Sequence, residues 1–126
     1  MQVIYLNVNA NKAPEKLNIK DELQNYYNLI ECNSIDIVRR KIGKRYFNII
    51  CDDEGMLVDG PKISAISNLG EVRLVGNLVI CSDMMTEDGD LVGLSDEEAE
   101  YIRQRIEFLY TRQYPQGYYI LTQCEY

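Results

Sequence analysis

The strongest constraint on the fold is a pair of β-type runs, residues 34–42 and 45–51, joined by the dipeptide Gly43-Lys44. Glycine at the first of two turn positions is typical of the tight turns of β-hairpins, because glycine adopts a positive φ without strain. With the turn at these two positions, the numbers of facing residues sum to 87. The sequence therefore predicts a hairpin in one definite register.

That register sorts the hairpin side chains onto two faces, because successive residues of a strand point to opposite sides of the sheet. The face expected to join the core carries Val38, Ile42, Phe47, Ile49 and Cys51. The face expected to point to solvent carries Arg39, Lys41, Tyr46 and Asn48, with Lys44 at the turn. This second face is first interpreted as solvated strand residues that guard an exposed sheet.

Other segments extend the predicted sheet. Leu78–Cys81 is a short, wholly apolar run between turn residues, which is typical of a central buried strand. Met1–Val8 and Tyr118–Thr122 predict an opening and a final strand. Residues 9–18 are expected to form a polar loop, and residues 62–76 an irregular segment with turns.

Apolar residues at three- and four-residue spacing predict two helices. The first spans residues 19–29, with Asn18 as its N-cap and Asp21 in its first turn. The second begins with a capping box at Ser95–Glu98 and is expected to end near Gln113. Together with the strands, these helices predict an α+β fold.

A chain of 126 residues is long enough to bury a substantial core. We expect residues 1–126 to form one α+β domain, with a mainly antiparallel sheet of four to six strands. The C-terminal helix should pack on this sheet, assisted by the short N-terminal helix.

The composition argues against most catalytic machinery, because the chain contains no histidine. Imidazole bases, Ser-His or Cys-His pairs and histidine-containing metal sites are thereby excluded. The glycine-rich phosphate loops and the G-x-S-x-G motif are also missing, and the acidic run near Asp88 does not fit the calcium loop of an EF-hand. We therefore predict no catalytic residue, no metal site and no cofactor.

The chain has four widely spaced cysteines: Cys32, Cys51, Cys81 and Cys124. Three of the four adjoin apolar strand-like runs. No C-x-x-C pair occurs, so we expect free, inert thiols in a reducing cytoplasm. The N-terminus lacks the features of a signal peptide, and no segment is long and apolar enough to predict a membrane span.

Charge is distributed unevenly along the chain, whose net charge is −7. Residues 1–50 carry 8 bases and 5 acids, whereas residues 51–126 carry 5 bases and 15 acids. A net negative surface disfavours direct binding to nucleic acid but permits a basic protein partner. The candidate partner-binding residues are the acids of one loop and one helix start: Glu87, Asp88, Asp90, Asp96 and Glu97.

Three further hypotheses stay open from the sequence. The first is a small-molecule or nucleotide binder, one form of which is a carboxylate-dependent magnesium enzyme that uses Asp52, Asp53 and Asp88. A nucleic-acid site would use Arg39, Lys41, Lys44 and Tyr46. A second contact surface would use the tyrosines near the C-terminus, namely Tyr101, Tyr110, Tyr114, Tyr118, Tyr119 and Tyr126. The sequence also permits a homo-oligomer.

Three segments resemble a known family: IICDDEGMLVDGP at residues 49–61, LVGNLVICSD at residues 74–83, and GDLVGLSDEEAEYIRQRI at residues 89–106. They are similar to domain-of-unknown-function family 3846, small proteins of Gram-positive bacteria, their phages and conjugative elements. The resemblance covers about residues 30–107, with residues 111–126 as an extension.

The resemblance implies an accessory gene of a mobile element, and it supplies no catalytic residues. With the charge asymmetry, it leads us to expect a non-enzymatic binding or regulatory factor that acts on a host protein.

Overall fold

A computed structural model describes residues 1–7, 14–54, 63–66, 72–109 and 118–121. Its helices are α1 (Leu23–Ile30) and α2 (Asp96–Arg103). Its strands are β1 (Gln2–Leu6), β2 (Glu15–Asn18), β3 (Ile35–Ile42), β4 (Arg45–Asp52), β5 (Ile63–Ile66), β6 (Val72–Val75), β7 (Leu78–Ser82), β8 (Ile106–Leu109) and β9 (Tyr118–Leu121).

Five strands form one antiparallel sheet in the order β2-β1-β7-β4-β3. The pairs β5-β6 and β8-β9 form two smaller antiparallel hairpins. The predicted α+β class and the mainly antiparallel sheet of four to six strands are confirmed.

The central strand is β7, as the apolar run predicted. It pairs with β1 on one side and β4 on the other, and all five of its residues are buried. Leu78 and Ile80 point to one face of the sheet, whereas Val79 and Cys81 point to the other. A strand that is apolar on both sides can lie only where both faces are covered.

The two helices cover opposite faces of the five-stranded sheet, so this part of the structure has three layers. Leu94, Ala99 and Ile102, from α2 and the segment before it, pack on Leu78 and Ile80. On the other face, Tyr26 and Ile30 of α1 pack on Val79 and Cys81 together with Val3, Tyr5 and Ile50. The C-terminal helix therefore packs as predicted, and α1 closes the second face.

The predicted hairpin is confirmed in its register. The β3-β4 pairs include Val38 with Ile49 and Arg39 with Asn48, and Gly43 in the turn has a φ of 66°. One prediction on this hairpin was wrong: Asn48 is buried, and its amide donates to the Ser82 carbonyl at 3.2 Å. The reason is that β4 is an interior strand, so β7 lies beside Asn48.

The region before α1 differs from the predicted loop and helix start. Residues 15–18 form β2, which pairs with β1, and Asn18 ends that strand instead of capping the helix. The helix begins after Glu22, which makes no side-chain cap, and Asp21 lies outside its first turn. Pairing with β1 and the alternating burial of β2 outweigh the helical spacing that begins at Ile19.

Two further predictions were wrong. Helix α2 ends at Arg103, not near Gln113, because Ile106–Leu109 pairs with Tyr118–Leu121 as a hairpin. Part of the segment expected to be irregular forms the β5-β6 hairpin. In both places, pairing between strands overrides the local pattern.

The Gly43 turn generates a stability prediction. A β-carbon at Gly43 would lie 2.5 Å from the Tyr101 hydroxyl, which accepts the Lys44 backbone N–H at 2.7 Å, whereas a β-carbon at Gly89 would lie in open space. Both glycines have positive φ, so Gly89→Ala is the matched control. We expect Gly89→Ala to lower the free energy of unfolding by about 1 kcal/mol and Gly43→Ala by about 2 kcal/mol or more. Urea unfolding measures both, and equal losses would contradict the predicted role of the Tyr101 contact.

Candidate functional site

The first three predicted partner-binding residues lie in a closed turn between β7 and α2, which we call the acidic loop (residues 83–90). Thr86 and Asp90 close the turn: the Thr86 N–H donates to the Asp90 carbonyl at 2.9 Å, and the Asp90 N–H donates to Thr86 Oγ1 at 3.0 Å. Glu87, Asp88 and Asp90 are exposed. Within the described residues, none of their carboxylates has an ion-pair partner.

The acidic loop is anchored to α1 by Asp21. One carboxylate oxygen of Asp21 accepts the Leu91 N–H at 2.9 Å, and the other accepts the Tyr26 hydroxyl at 2.5 Å. Burial, followed by the hydrogen bond to Asp21, raises the pKa of Tyr26 well above its usual value. Tyr26 therefore stays protonated and keeps donating, which holds the loop against the helix.

The other two predicted residues, Asp96 and Glu97, lie in the first turn of α2. Ser95 forms the predicted capping box with Glu98. Asp96 Oδ1 lies 3.1 Å from Gln2 Nε2 and 3.9 Å from Lys16 Nζ, and Glu97 Oε1 lies 3.7 Å from Arg45 Nη1. Both carboxylates are about nine-tenths exposed, so these pairs contribute little stability.

The five predicted residues do not form one surface. Leu91, just after the acidic loop, packs in the cluster on the α1 side, whereas Leu94, just before α2, packs in the cluster on the α2 side. The chain between them crosses the sheet between the end of β7 and the start of β1: the Val92 carbonyl accepts the Ser82 N–H at 3.1 Å, and the Leu94 N–H donates to the Gln2 carbonyl at 2.7 Å. The loop and the helix start therefore flank the sheet from opposite sides.

The acidic loop adjoins the part of the α1-side face that lies on β3 and the start of β4, which we call the open face: Ile37, Arg39, Lys41 and Tyr46. The Arg39 guanidinium carbon lies 4.0 Å from the centre of the Tyr46 ring, and Arg39 Nη2 lies 3.1 Å from Asp83 Oδ2. This contact links the open face directly to the loop. It also shows that an acid offsets part of the basic patch considered for nucleic-acid binding.

Exposed apolar side chains concentrate in the same region. Five large apolar side chains in the described residues are exposed, and four of them lie on the open face or in the acidic loop: Ile37, Tyr46, Met84 and Met85. Sequence reasoning missed Ile37, although its spacing from Arg39 places both on one face. The structure shows that Met84 and Met85 are exposed as well.

The residues of the magnesium hypothesis are not brought together. Asp52 is the last residue of β4 and Asp53 follows it, whereas Asp88 lies beyond the end of β7, and these strands are antiparallel. Ser82 pairs with Phe47, so five residues of strand, or about 17 Å, separate Asp52 from the loop end of the sheet. In the part of the chain that the structure describes, no three His, Cys, Asp or Glu side chains form a metal-binding group.

A groove of about 360 Å³ lies at another place, between the end of β2 and α1. It is lined by Asn18, Ile19, Lys20, Asn25, Asn28 and Leu29. The Asn25 amide donates to the Lys20 carbonyl at 3.0 Å, so part of this lining is internally bonded. None of the three acids of the magnesium hypothesis lines the groove.

Of the six C-terminal tyrosines, the structure describes the side chain of Tyr101. Its ring contacts Arg105, whose guanidinium carbon lies 3.5 Å from the ring centre, and its hydroxyl accepts the Lys44 N–H. Tyr101 therefore ties α2 to the β3-β4 turn. Tyr110, Tyr114 and Tyr126 lie outside the described residues, and Tyr118 and Tyr119 are described only as part of strand β9.

The described cysteines are free thiols, as predicted. Burial raises the pKa of Cys51 to about 11 and that of Cys81 to about 12, and it raises the pKa of Cys32 as well. Thiolate is the reactive form of cysteine, so these side chains are poor nucleophiles at neutral pH. Cys124 lies outside the described residues.

Comparison with known proteins identifies the family. The chain belongs to the family described as a domain of unknown function (DUF3846), whose model matches residues 1–107. The suspected membership is confirmed, and the match begins earlier than the residue 30 at which the resemblance was first seen. No curated protein and no solved structure matches the chain.

None of the described helices is both long and apolar enough to span a membrane.

The buried thiols predict how stability depends on pH. The unfolded chain loses thiol protons near the usual pKa of 9.0, whereas Cys51 and Cys81 hold theirs to about 11 and 12. Between these values the native state binds more protons, so the free energy of unfolding should fall as pH rises above 9. By pH 10 we expect a loss of about 1.4 kcal/mol per thiol.

Urea unfolding at pH 8 and pH 10 measures this loss. The double variant Cys51→Ala/Cys81→Ala is the control, because it retains the other titrating groups and lacks these thiols. A pH dependence identical in wild type and variant would contradict the assignment.

Proposed function

We propose that the protein is a non-enzymatic binding or regulatory factor that acts on a host protein through the acidic loop and the open face. One observation carries the proposal: exposed Ile37, Tyr46, Met84 and Met85 are grouped around the Arg39–Asp83 contact. Exposed apolar side chains on soluble proteins are usually scattered, and a concentration of them marks an interaction site.

The residue types of this surface support a protein partner. Tyrosine, methionine and arginine are enriched in the cores of protein interfaces. Tyr46 and Arg39 already stack, which lowers the conformational entropy that either side chain would lose on binding. Met84 and Met85 are 65% and 52% exposed, and flexible methionine side chains adapt to the shape of a partner.

The acids of the loop indicate the charge expected of the partner. Glu87, Asp88 and Asp90 border the apolar group and have no ion-pair partner within the described residues. They would attract a basic surface and speed association, and they disfavour a nucleic-acid backbone. Asp96 and Glu97 are excluded from the proposed contact, because they lie beyond the other face and contact Gln2, Lys16 and Arg45.

The proposed biological setting follows from the resemblance to proteins of phages and conjugative elements. In that setting the protein would be an accessory product of a mobile element that acts in the cytoplasm of its bacterial host. The four widely spaced cysteines are compatible with a reducing compartment.

A pull-down from lysate of a low-GC Gram-positive bacterium, read by mass spectrometry, tests the proposal. The double variant Glu87→Lys/Asp88→Lys should lose a stoichiometric partner that the wild type retains. Asp96→Lys/Glu97→Lys is the matched control, because it reverses two exposed acids outside the proposed surface and should retain the partner. Met84→Ala/Tyr46→Ala should also lose it.

Thermal unfolding of each variant would first establish that it is folded. The same partner recovered with the Glu87→Lys/Asp88→Lys variant, or lost equally with both charge-reversed variants, would contradict the proposal.

A further inference from the structure

Met84 and Met85 are neighbouring methionines whose side chains lie in solvent although their backbone is held in place. The two side chains are 65% and 52% exposed. The Met84 N–H donates to Ser82 Oγ at 3.2 Å, and Met85 forms a β-bridge with Leu91. The acidic loop therefore presents two thioether side chains at a fixed position without covering them.

The described thiols are protected from oxidation by a peroxide. Peroxides oxidise cysteine through its thiolate. Because burial raises the pKa of Cys51 to about 11 and that of Cys81 to about 12, only about one Cys51 thiol in 10,000 and one Cys81 thiol in 100,000 is ionised at pH 7. Burial also raises the pKa of Cys32, which is half-buried. A thioether has no proton to lose, so its oxidation does not require ionisation.

Met1 provides an internal comparison within the same chain. Its side chain packs against the cluster on the α1 side, and its amino group donates to the Ile19 carbonyl at 2.6 Å. Met56 and Cys124 lie outside the described residues. Among the sulfur-containing side chains that the structure describes, those of Met84 and Met85 are therefore the most accessible.

We propose that Met84 and Met85 form a reversible oxidation site, at which hydrogen peroxide converts both side chains to methionine sulfoxide. Peroxide transfers one oxygen atom to each sulfur: its O–O bond breaks, an S–O bond forms, and the sulfur loses two electrons. The proton of the transferred oxygen leaves with the other oxygen as water. Methionine sulfoxide reductases restore the thioether, oxidising a dithiol to a disulfide and releasing water.

The charge of the acidic loop favours an uncharged oxidant. Glu87, Asp88 and Asp90 are exposed beside the two methionines and repel anionic oxidants. Hydrogen peroxide is neutral at pH 7 and is not repelled. The loop is therefore suited to oxidation by peroxide itself.

Oxidation at this site changes the surface and spares the core. A sulfoxide is polar, whereas Met84 and Met85 belong to the exposed apolar group around the Arg39–Asp83 contact. Neither methionine belongs to the two core clusters, so the fold does not depend on their apolar character. Oxidation should thus weaken the contact with a host protein without unfolding the chain. This consequence rests on the proposed function, whereas the oxidation site does not.

Peptide mapping by mass spectrometry after graded exposure to hydrogen peroxide tests the site. In the folded protein, Met84 and Met85 should each gain one oxygen atom, about 16 Da, before Met1, Cys51 or Cys81 changes. In urea, Met1 should react as fast as Met84 and Met85, because unfolding removes its cover. Oxidation of Met1 or of a buried thiol ahead of Met84 and Met85 in the folded protein would overturn the proposal.

Hydrophobic-interaction chromatography measures the change of surface without any partner. The peroxide-treated wild type should elute earlier than the untreated protein, with an unchanged thermal unfolding midpoint, and a methionine sulfoxide reductase should restore the original elution. Met84→Leu/Met85→Leu is the matched control, because leucine is apolar, similar in volume and not oxidised. This variant keeps every other methionine and cysteine, so its elution should not change with peroxide. Equal shifts in wild type and variant, or unfolding of the oxidised wild type, would overturn the proposal.

The pull-down, with thiol reductants removed from the lysate, connects the site to the proposed contact. The peroxide-treated wild type should lose the partner, and the treated Met84→Leu/Met85→Leu variant should retain it. A treated wild type that retains the partner would overturn the regulation. If the untreated wild type captures no partner, the proposed function fails, whereas mapping and chromatography still decide whether the oxidation site exists.

Discussion

The rest of the structure depends on the burial of β7 between two strands and two helices. Leu78 and Ile80 require cover on one face of the sheet, and Val79 and Cys81 require it on the other. Burying each aliphatic side chain contributes roughly 1.5–3 kcal/mol, whereas an exposed ion pair such as that of Glu97 contributes at most about 1 kcal/mol. Apolar contacts on both faces of β7, and not surface charges, therefore set the three-layer arrangement.

The helices do not cover the whole width of the sheet, and the part left uncovered on the α1 side forms the candidate surface. Helix α1 has only eight residues, and its buried side chains reach β7 and the Ile50 region of β4. Ile35 at the start of β3 still packs against this cluster, whereas Ile37 of β3 and Tyr46 of β4 lie outside it and are exposed. Asp21 fixes the acidic loop at the border of this region by accepting the Leu91 N–H. A short helix on a wide sheet thus leaves an open face beside ordered carboxylates.

Much of this fold could be predicted from local chemistry. The Gly43 turn determined the hairpin register, the apolar run at Leu78–Cys81 indicated the central strand, and the capping box at Ser95 located α2. The end of α2, the role of residues 15–18 and the β5-β6 hairpin could not be predicted, because they depend on strands that are distant in sequence.

The site was harder to predict than the fold. Exposure of Glu87, Asp88 and Asp90 followed from their charge, but the separation of Asp96 and Glu97 onto the other side depends on where Leu91 and Leu94 pack. The exposure of Ile37 depends on how far α1 extends over the sheet, and the sequence pattern placed the start of that helix too early. Which residues share a surface depends on packing between elements that are distant in sequence. Local sequence patterns therefore predict the residue types of a surface better than they predict which residues lie together on it.

Residue-resolved amide hydrogen exchange tests the central role of β7 most directly. The account predicts that the amides of Val79, Ile80 and Cys81 exchange most slowly, with a protection free energy equal to that of global unfolding. The Asp53 N–H donates to the Ser34 carbonyl, so the even-numbered residues of β3 bond to β4, and the amides of Val38 and Arg40 should exchange much more slowly than those of Ile37 and Arg39. Exchange of the β7 amides by local opening, ahead of those of β1 and β4, would contradict the account.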